Sequence, residues 1–406
     1  MKVEERFLRY VSYWTTSDEN SAQTPSSMRQ FDLGKELEQE LINLGLSKVT
    51  LTDQCYLYGL LPAAPGMDDT KAIGFISHMD TSPDFEGNHV KPQIIPDYNG
   101  GDILLKGSGS YLKTSDFPSL KQLKGRTLIT TDGTTLLGAD DKAGIAAIFT
   151  ALEQVVTNKI PHGDIWVGIT PDEEIGKGAD HFDLDYFKAD YAYTVDGDYE
   201  GEIAYENFNA ASAEFEIHGV NVHPGEAKDI MVNAALIACE ISSCLPSSET
   251  PAHTCEREGF YHLTDIQGDV SSAKLSYIIR DHDKDLFENR LNKLRTIETE
   301  MNQKYGAGTV TLTITQSYEN MLSVIEENMY VVNLAREAIT SAGLSPVSRP
   351  VRGGTDGARL SFMGLPCPNL GTGGYGFHGP YEHISVEGME TTVKIILALI
   401  SNPVHK

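Results

Sequence analysis

The chain has 406 residues. A domain with a single hydrophobic core is usually shorter than this, so we expect at least two domains. Its 58 acidic residues outnumber its 32 lysines and arginines and give a formal net charge of −26, which disfavours binding to nucleic acid or to anionic membranes. With 40% hydrophobic residues, the composition is that of a folded globular protein and not of a disordered one.

The beginning of the chain carries acidic side chains where a signal peptide needs an apolar stretch, and no segment approaches the roughly 18 apolar residues of a membrane span. The five cysteines are scattered and form no Cys-x-x-Cys pair. We therefore expect a cytoplasmic protein with reduced cysteines and without a thiolate zinc site.

Three apolar, strand-like segments lead directly into acidic or histidine residues. They are 72–77 before His78, 165–170 before the acidic run 172–174, and 191–195 before Asp196. A helical pattern of apolar residues at 143–156 lies between the first and second segments. Strands that alternate with helices predict an α/β fold in which a mostly parallel sheet is covered by helices on both faces.

The pattern changes between about residues 210 and 315. A strand, a helix, two strands, a helix and a strand are predicted at 213–218, 231–244, 259–267, 273–280, 286–304 and 309–315. This order is that of a ferredoxin-like, split-βαβ unit. Helices at 328–342 and 386–400 and an apolar segment at 365–370 then resume the first pattern. We predict a large domain in two parts, 1–208 and 319–406, with the small domain 209–318 inserted between them.

His78 and Asp80 stand two residues apart after the first predicted strand, so both side chains point to the same side if the extended conformation continues. Ligands of open α/β sheets bind beyond the carboxyl ends of the strands, where this pair would lie. A His-x-Asp pair on its own also has a purely structural explanation.

Two adjacent acids, Asp140 and Asp141, open the helical segment. Aspartate at the start of a helix accepts hydrogen bonds from free backbone N–H groups and favours the helix dipole, which is a sufficient explanation for Asp141. Asp140 lies one residue earlier, at the edge of the sheet, and is available to bind a metal ion.

Three consecutive acids at 172–174 follow a strand so apolar that it must be buried. Crowded carboxylates in such a place cost free energy unless cations neutralise them. Consecutive side chains point in different directions, so Glu174 can bind metal while Glu173 faces a substrate. Asp196 adds another acid at a strand end, and His378 adds a second imidazole.

These nitrogen and oxygen donors together suit a pair of zinc ions that share one carboxylate; they are His78, Asp140, Glu174, Asp196 and His378. Two divalent cations bring four positive charges and the three carboxylates remove three, which leaves about one to hold a hydroxide ion. Asp80 would then orient the ring of His78.

The sequence resembles the peptidase T family of aminotripeptidases, in the co-catalytic zinc peptidase group that also contains aminoacylases and glutamate carboxypeptidases. The resemblance runs nearly end to end and rests on HMDTSPD at 78–84, TTLLGADDK at 134–142, PDEEIG at 171–176, NFNAAS at 207–212, VHPG at 222–225, GGTDG at 353–357 and FHG at 377–379. It implies two Zn²⁺ per subunit. His78, Asp140 and Asp196 would bind one, and Asp140, Glu174 and His378 the other.

The resemblance further implies that Glu173 is the general base, which takes a proton from metal-bound water as it attacks the peptide carbonyl. The metal would polarise that carbonyl and stabilise the oxyanion. The small domain would act as a lid and as the contact of a homodimer, with His223 and Arg280 as its residues facing the substrate.

Arg280 ends a predicted strand and has a fork geometry suited to the terminal carboxylate of a tripeptide. A surface ion pair with Asp281 or Asp283 explains it equally well from the sequence, and the resemblance favours the substrate. His223 would help to stabilise the oxyanion, although a loop histidine without function is the alternative.

Two features complicate the comparison with the family. Related enzymes are richer in glycine after the metal-binding aspartate than this chain is at 197–200, Gly-Asp-Tyr-Glu, and the extra acids would alter how the substrate amino group is held. His383 is a rival metal ligand, and we prefer His378 because the family motif falls there.

The leading hypothesis is a zinc metallopeptidase that releases the first residue of tripeptides. The alternative keeps the two metals but cleaves dipeptides or hydrolyses N-acyl amino acids. A different class of function is a catalytically silent protein that binds peptide or metal, and Glu173 argues against it because binding alone needs no base.

Overall fold

The computed structural model describes all 406 residues, which form two compact units. Unit 1 consists of Met1–Tyr205, Ser323–Arg349 and Thr355–Lys406, and unit 2 consists of Glu206–Leu322 and Pro350–Gly354. The predicted boundaries at 209 and 318 lie just inside unit 2. The short second segment of unit 2 was not anticipated.

The helices are, in chain order, α1 Val3–Tyr10, α2 Gln30–Asn43, α3 Ala139–Asn158, α4 Ala234–Ser243, α5 Lys284–Tyr305, α6 Leu322–Ile325, α7 Tyr330–Ser341, α8 Asp356–Phe362 and α9 Val386–Ser401. None of them is both long enough and apolar enough to cross a membrane. The predicted helix 328–342 begins later than expected because a 3₁₀ turn at Glu326–Asn328 precedes α7.

The strands are, in chain order, β1 Ser47–Leu51, β2 Leu57–Leu61, β3 Ile73–His78, β4 Gln93–Ile95, β5 Ile103–Leu104, β6 Tyr111–Leu112, β7 Leu128–Thr130, β8 Ile165–Thr170, β9 Tyr191–Gly197, β10 Ile203–Ala204, β11 Asn209–His218, β12 Phe260–Gly268, β13 Ser272–Asp281, β14 Val310–Tyr318, β15 Asn369–Gly371, β16 Gly374–Tyr375 and β17 His383–Ser385.

Unit 1 is built on a seven-stranded sheet with the order β1-β2-β8-β3-β9-β15-β10. The four central strands, β8, β3, β9 and β15, are parallel, and the outer pairs are antiparallel. Every residue of β3 and of β8 is buried, as expected for strands covered on both faces. Helix α3 packs against β3, β9, α1 and α9. The predicted α/β fold with its parallel sheet is confirmed.

A smaller four-stranded antiparallel sheet of unit 1, with the order β16-β17-β7-β4, was not predicted. Its strands have two or three residues each, too few to show an alternating pattern in the sequence. The loop between β16 and β17 contains His378, so this sheet positions one of the candidate ligands.

Unit 2 contains a four-stranded antiparallel sheet with the order β12-β13-β11-β14 and two helices, α4 and α5, that pack against it. In chain order the elements run β11-α4-β12-β13-α5-β14, which is the predicted ferredoxin-like arrangement. Its core is formed by alternating residues of the strands and by apolar residues of both helices, including Phe215, Ile241, Leu275 and Leu294.

Helices α1, α2 and α3 are tied together by the guanidinium of Arg6, which is 2% exposed. Its Nε lies 2.6 Å from Oε1 of Glu40 and its Nη2 lies 2.9 Å from Oε2 of Glu153. A third bond runs from Nη1 to the hydroxyl of Thr150 at 3.0 Å. A buried charge is tolerated here because it is paired and hydrogen-bonded.

Candidate metal centre

The candidate ligands from the large sheet converge because parallel strands end at the same edge. His78 is the last residue of β3, Glu174 follows the end of β8, and Asp196 lies near the end of β9. Since β8, β3 and β9 are adjacent and parallel, their carboxyl ends bring these three side chains to one side of the sheet.

Asp140 lies between two groups of ligand atoms and directs one carboxylate oxygen to each. Its Oδ1 is 2.9 Å from Nε2 of His78, and that nitrogen is also 3.4 Å from Oδ1 of Asp196. Its Oδ2 is 3.2 Å from Nε2 of His378, which lies 2.8 Å from Oε2 of Glu174. The structure therefore brings all five predicted ligands together around Asp140.

The backbone at the start of α3 accounts for the position of Asp140. Gly138 has a left-handed conformation with φ of 80°, and neither Asp140 nor Asp141 has helical backbone angles; the peptide bond between them is cis. The regular helix begins after these two residues, and Asp140 is thereby held at the edge of the sheet and outside the helix.

Asp141 also lies near His78, but its carboxylate is occupied by protein hydrogen bonds. It accepts bonds from the hydroxyl of Ser77, from the backbone N–H of His78 at 3.2 Å and from that of Gly144 at 3.2 Å. The last of these bonds is of the kind that caps a helix, which agrees with the structural explanation given for Asp141.

Asp80 is fully buried and its carboxylate contacts three parts of the site. Its Oδ1 accepts a hydrogen bond from the backbone N–H of Glu173 at 3.0 Å, and its Oδ2 accepts one from that of Glu174 at 3.2 Å. Oδ1 also lies 3.3 Å from Nδ1 of His78, while Nε2 of the same ring faces Asp140. Asp80 can thus orient the His78 ring as well as the backbone of the acidic run.

Glu173 is adjacent to the ligands, and its carboxylate makes no hydrogen bond with the protein. Burial raises its pKa well above the usual range, with a further contribution from the charge of Asp196. A carboxylate without a protein partner and with a raised pKa is suited to accept a proton from a substrate or water molecule and to return it.

The remaining pKa shifts record how many acids share this space. Burial raises the pKa of Glu174 to about 8 and that of Asp196 to about 7, and the charge of Asp140 contributes to both shifts. Hydrogen bonds with Asp140 and Glu174 raise the pKa of His378 to about 11. Protonated imidazoles compensate the carboxylates in this arrangement, and cations bound by the same atoms would compensate them more fully.

The donor set fits divalent metal ions of the zinc type. Ligand atoms of His78, Asp140 and Glu174 all lie within 4.8 Å of one another, and so do those of His78, Asp141 and Asp196. Oε1 of Glu174 is buried and has no hydrogen-bond partner, which is unfavourable unless a cation or a donor binds it. Imidazole nitrogen and carboxylate oxygen are ordinary zinc ligands.

His383, the rival of His378, lies apart from the ligand cluster. It is fully buried in β17, where its Nδ1 hydrogen-bonds to the carbonyl oxygen of Tyr381 at 2.8 Å and its ring stacks on Tyr375. Burial lowers its pKa to about 4, so the ring is neutral. The structure thus places His378, and not His383, with the other candidate ligands, and the ring of His383 packs against Tyr375.

The residues in which this chain departs from the family pattern, 197–200, contain one buried acid. The Oε1 of Glu200 lies 2.6 Å from Nη1 of Arg126, which also donates to Oγ of Ser385 at 3.1 Å. Asp198 is an exposed residue whose carboxylate has no hydrogen-bond partner in the chain, and partial burial of that carboxylate raises its pKa. Glu200 is therefore a structural residue, whereas Asp198 is free to meet a solute.

The two candidate residues of unit 2 have different surroundings. His223 is exposed, and its Nδ1 accepts a hydrogen bond from the backbone N–H of Gly225 at 3.2 Å. Arg280 is half-buried; its Nη1 donates to the carbonyls of Ala211 and Ile279, and its guanidinium lies 5.3 Å from the ring centre of Tyr318.

The ion pairs that would explain Arg280 as a surface residue are not formed. Asp281 pairs with Arg290 at 2.7 Å, and Asp283 accepts the backbone N–H of Leu286 at the start of α5. Neither acid is within ion-pair distance of Arg280, so the charge of this guanidinium is not balanced by a carboxylate of the chain.

Two acids beside the site were missed in the sequence. Asp356 is 5% exposed and accepts a hydrogen bond from Oγ1 of Thr170 at 2.8 Å, and burial raises its pKa to about 6. Its position in the GGTDG segment was a signal that could have found it. Glu382 accepts backbone hydrogen bonds from the loop that carries Asp140. No pattern marks it, because its partners are backbone groups more than 240 residues away.

Comparisons with known proteins agree on one family. Residues 132–402 match the model of peptidase family M20/M25/M40. The chain is 54% identical over 400 residues to peptidase T of Clostridium perfringens, covering 98% of both chains. Its structure is similar to that of the aminopeptidase PepT of Bacillus cereus, with a TM-score of 0.77 and 25% sequence identity. The match covers 98% of this chain and 97% of the Bacillus cereus chain. A dinuclear metal-binding M20 peptidase of Bacillus subtilis, 13% identical over 98% of both chains with a TM-score of 0.65, shares the fold.

Proposed function

Because this chain belongs to peptidase family M20/M25/M40 and, within it, to the tripeptide aminopeptidases called peptidase T, it is a metal-dependent peptidase, and we propose that a pair of zinc ions serves its reaction. The resemblance inferred from the sequence motifs is confirmed by the identity over nearly the whole chain. The ligand set, the identity of the metal and the roles of individual residues form the proposal.

The observation that supports two ions is the position of Asp140 between two groups of donors. One oxygen faces His78 and Asp196, and the other faces His378 and Glu174. A carboxylate placed in this way can bridge two cations, whereas a single ion needs only one of the groups. The M20 peptidase of Bacillus subtilis that shares this fold is a dinuclear metal-binding peptidase, which agrees with this assignment.

When bound, the two zinc ions would polarise the scissile carbonyl and increase the acidity of water in the site. The chain itself supplies the proton transfer. Glu173 takes a proton from the attacking water and delivers it to the departing amine, for which its carboxylate is free and its pKa is raised. The carboxylate of Asp80 accepts a hydrogen bond from the backbone N–H of Glu173 and thereby holds Glu173 in place. The same carboxylate orients the His78 ring.

The specificity for tripeptides would come from both ends of the substrate. Arg280 would bind the terminal carboxylate, since its charge is not balanced by an acid of the chain, and His223 would donate to the carbonyl that is attacked. The amino group of the substrate would be bound by the carboxylate of Asp198, which lies two residues after Asp196 and has no hydrogen-bond partner in the chain. A homodimer and a cytoplasmic location stay predictions.

An assay with matched substrates tests this function. A tripeptide, the same tripeptide with an acetylated amino group, and the corresponding dipeptide are compared before chelation, after chelation and after zinc is restored. We expect zinc-dependent release of the first residue from the free tripeptide only. Equal hydrolysis of the acetylated peptide would indicate the N-acyl amino acid hydrolase, preference for the dipeptide would indicate a dipeptidase, and unchanged activity after complete metal removal would refute the metal-dependent reaction.

A further inference from the structure

Glu382 lies in the loop between β16 and β17 and is 1% exposed. Its Oε2 accepts hydrogen bonds from the backbone N–H groups of Leu137 at 2.6 Å and Gly138 at 2.9 Å, and its Oε1 accepts one from that of Asp140 at 3.0 Å. One buried carboxylate thus binds three backbone donors of the segment that ends in the central aspartate of the site.

These three donors have no other partner available to them in regular structure. They precede the regular part of α3, so their N–H groups cannot bond to a preceding turn of the helix, and the segment is buried. Unpaired backbone N–H groups in such a place are costly, and hydrogen bonds to a charged acceptor are stronger than those to a neutral one. Glu382 is therefore well placed to fix the conformation of this segment.

The same residue is connected to the second group of ligands through the chain. Glu382 follows His378 by four residues in one loop, and Nε2 of His378 lies 3.2 Å from Oδ2 of Asp140. A displacement of the Leu137–Asp140 segment relative to this loop would change the distance between the two side chains directly. The carboxylate of Glu382 joins the two segments through main-chain hydrogen bonds, in addition to the direct contact between His378 and Asp140.

We propose that Glu382 is a positioning residue that holds Asp140 and His378 at the separation required by a pair of divalent ions. This inference rests on the proposed function, since it assigns a role in metal affinity. Glu382 is not among the proposed metal ligands, and both of its oxygens are bound to backbone N–H groups. It acts through the main chain of Asp140.

The variant Glu382→Gln tests the role because an amide retains one acceptor oxygen but directs an NH₂ group at one of the three N–H donors. The matched control is Glu387→Gln. Glu387 also accepts backbone hydrogen bonds with both oxygens, from the N–H of Thr127 at 3.0 and 2.9 Å, but it holds no ligand segment. Both variants thus lose a carboxylate that binds backbone, and only the first loses it beside the ligands.

The measurement is calorimetric titration of the chelated protein with Zn²⁺, together with the absorption spectrum after loading with Co²⁺. We expect Glu382→Gln to bind the ions about 10–100-fold more weakly, the range found when a residue supporting metal ligands is replaced, and to show an altered Co²⁺ spectrum. Glu387→Gln should match the wild type in both. A role limited to folding would lower the unfolding temperature of the chelated protein and leave affinity and spectrum unchanged, which would overturn the inference.

Glu382→Asp provides a second variant in case the glutamine variant does not fold. It keeps the charge but withdraws the oxygens by one methylene, so it should lose affinity to a smaller extent. If the wild type binds two ions, and Glu382→Gln and Glu382→Asp bind them with the same affinity as the wild type, the inference is wrong. If the wild type itself binds fewer than two ions, the proposed two-metal function fails instead, and the two failures are distinguishable.

Discussion

Asp80 and Glu173 are joined by a hydrogen bond in which Oδ1 of Asp80 accepts the backbone N–H of Glu173 at 3.0 Å. The other oxygen of the same carboxylate accepts the N–H of Glu174, and Oδ1 also faces Nδ1 of His78. The end of β3 and the turn after β8 are therefore fixed to each other by a buried acid. The proposed base and two proposed ligands depend on this one side chain.

We expect Asp80→Asn to lower kcat by about 10–100-fold, as replacement of residues that orient metal ligands commonly does. The amide keeps one acceptor but turns a donor towards the N–H of Glu173 or Glu174. The exposed Asp53 provides the control, and Asp53→Asn should leave kcat unchanged. Steady-state kinetics with a tripeptide measures the effect, and wild-type kcat in Asp80→Asn would contradict the role of Asp80.

Glu173→Gln should lower kcat by about 10²–10⁴-fold, the contribution typical of general acid–base catalysis. The metal content should equal that of the wild type, because Glu173 is not among the proposed ligands. Elemental analysis and turnover are measured on the same sample. Glu174→Gln is the comparison, and it should lose metal as well as activity. Normal hydrolysis by Glu173→Gln would refute the proposed mechanism.

Arg280→Ala should raise KM for a tripeptide with a free terminal carboxylate, because a charge-assisted interaction is lost. For the same tripeptide with an amidated end, the variant and the wild type should have similar KM values, since the substrate already lacks the charge. Arg295→Ala, at an exposed position of α5, is the control. An equal rise in KM for both substrates would exclude recognition of the carboxylate by Arg280.

The part of the fold that carries the candidate ligands was predictable because its signals are local. Each apolar strand ends next to the acid or histidine that it positions, so the predicted strands of His78, Glu174 and Asp196 also indicated which side chains lie close together. The ferredoxin-like unit was equally evident because its strands and helices are long enough to show their periods. Asp140 was identified because two adjacent acids precede the apolar helix and only one of them, Asp141, is needed to cap it. The other acid is therefore available to bind metal.

Other features were not predictable because their cause lies in distant parts of the chain. Glu382 precedes a histidine that looked like a rival ligand, and nothing local reveals its bonds to the segment of Asp140. Strands of two or three residues, such as β16 and β17, form only because β7 lies beside them. The N-terminal helices α1 and α2 were not predicted, and their connection through Arg6 depends on Glu153, 147 residues away.

Arg6→Ala should destabilise unit 1 by about 3 kcal/mol, because the mostly buried Glu40 loses its cationic partner and keeps only the hydroxyl of Tyr10. Arg9→Ala is the matched control in the same helix. Its pair with Glu36 involves an exposed guanidinium, so its loss should cost below about 1 kcal/mol. Both tryptophans, Trp14 and Trp166, lie in unit 1, so urea unfolding followed by tryptophan fluorescence reports on that unit. Equal midpoints for the two variants would show that the Arg6 network contributes little.

Metal binding should release protons near neutral pH, and the affinity for zinc should rise with pH. In the cation-free chain the pKa of Glu174 is raised to about 8 and that of His378 to about 11, so both groups tend to hold protons at pH 7. A metal ligand must be deprotonated, and bound cations therefore displace these protons. As the pH rises from 7 through 8, Glu174 becomes deprotonated in the metal-free chain. Zinc binding then no longer has to displace this proton, so the affinity increases. Titration calorimetry with Zn²⁺ in two buffers that differ in ionisation enthalpy gives the number of protons released. An affinity independent of pH, with no protons released, would mean that Glu174 and His378 are not the ligands.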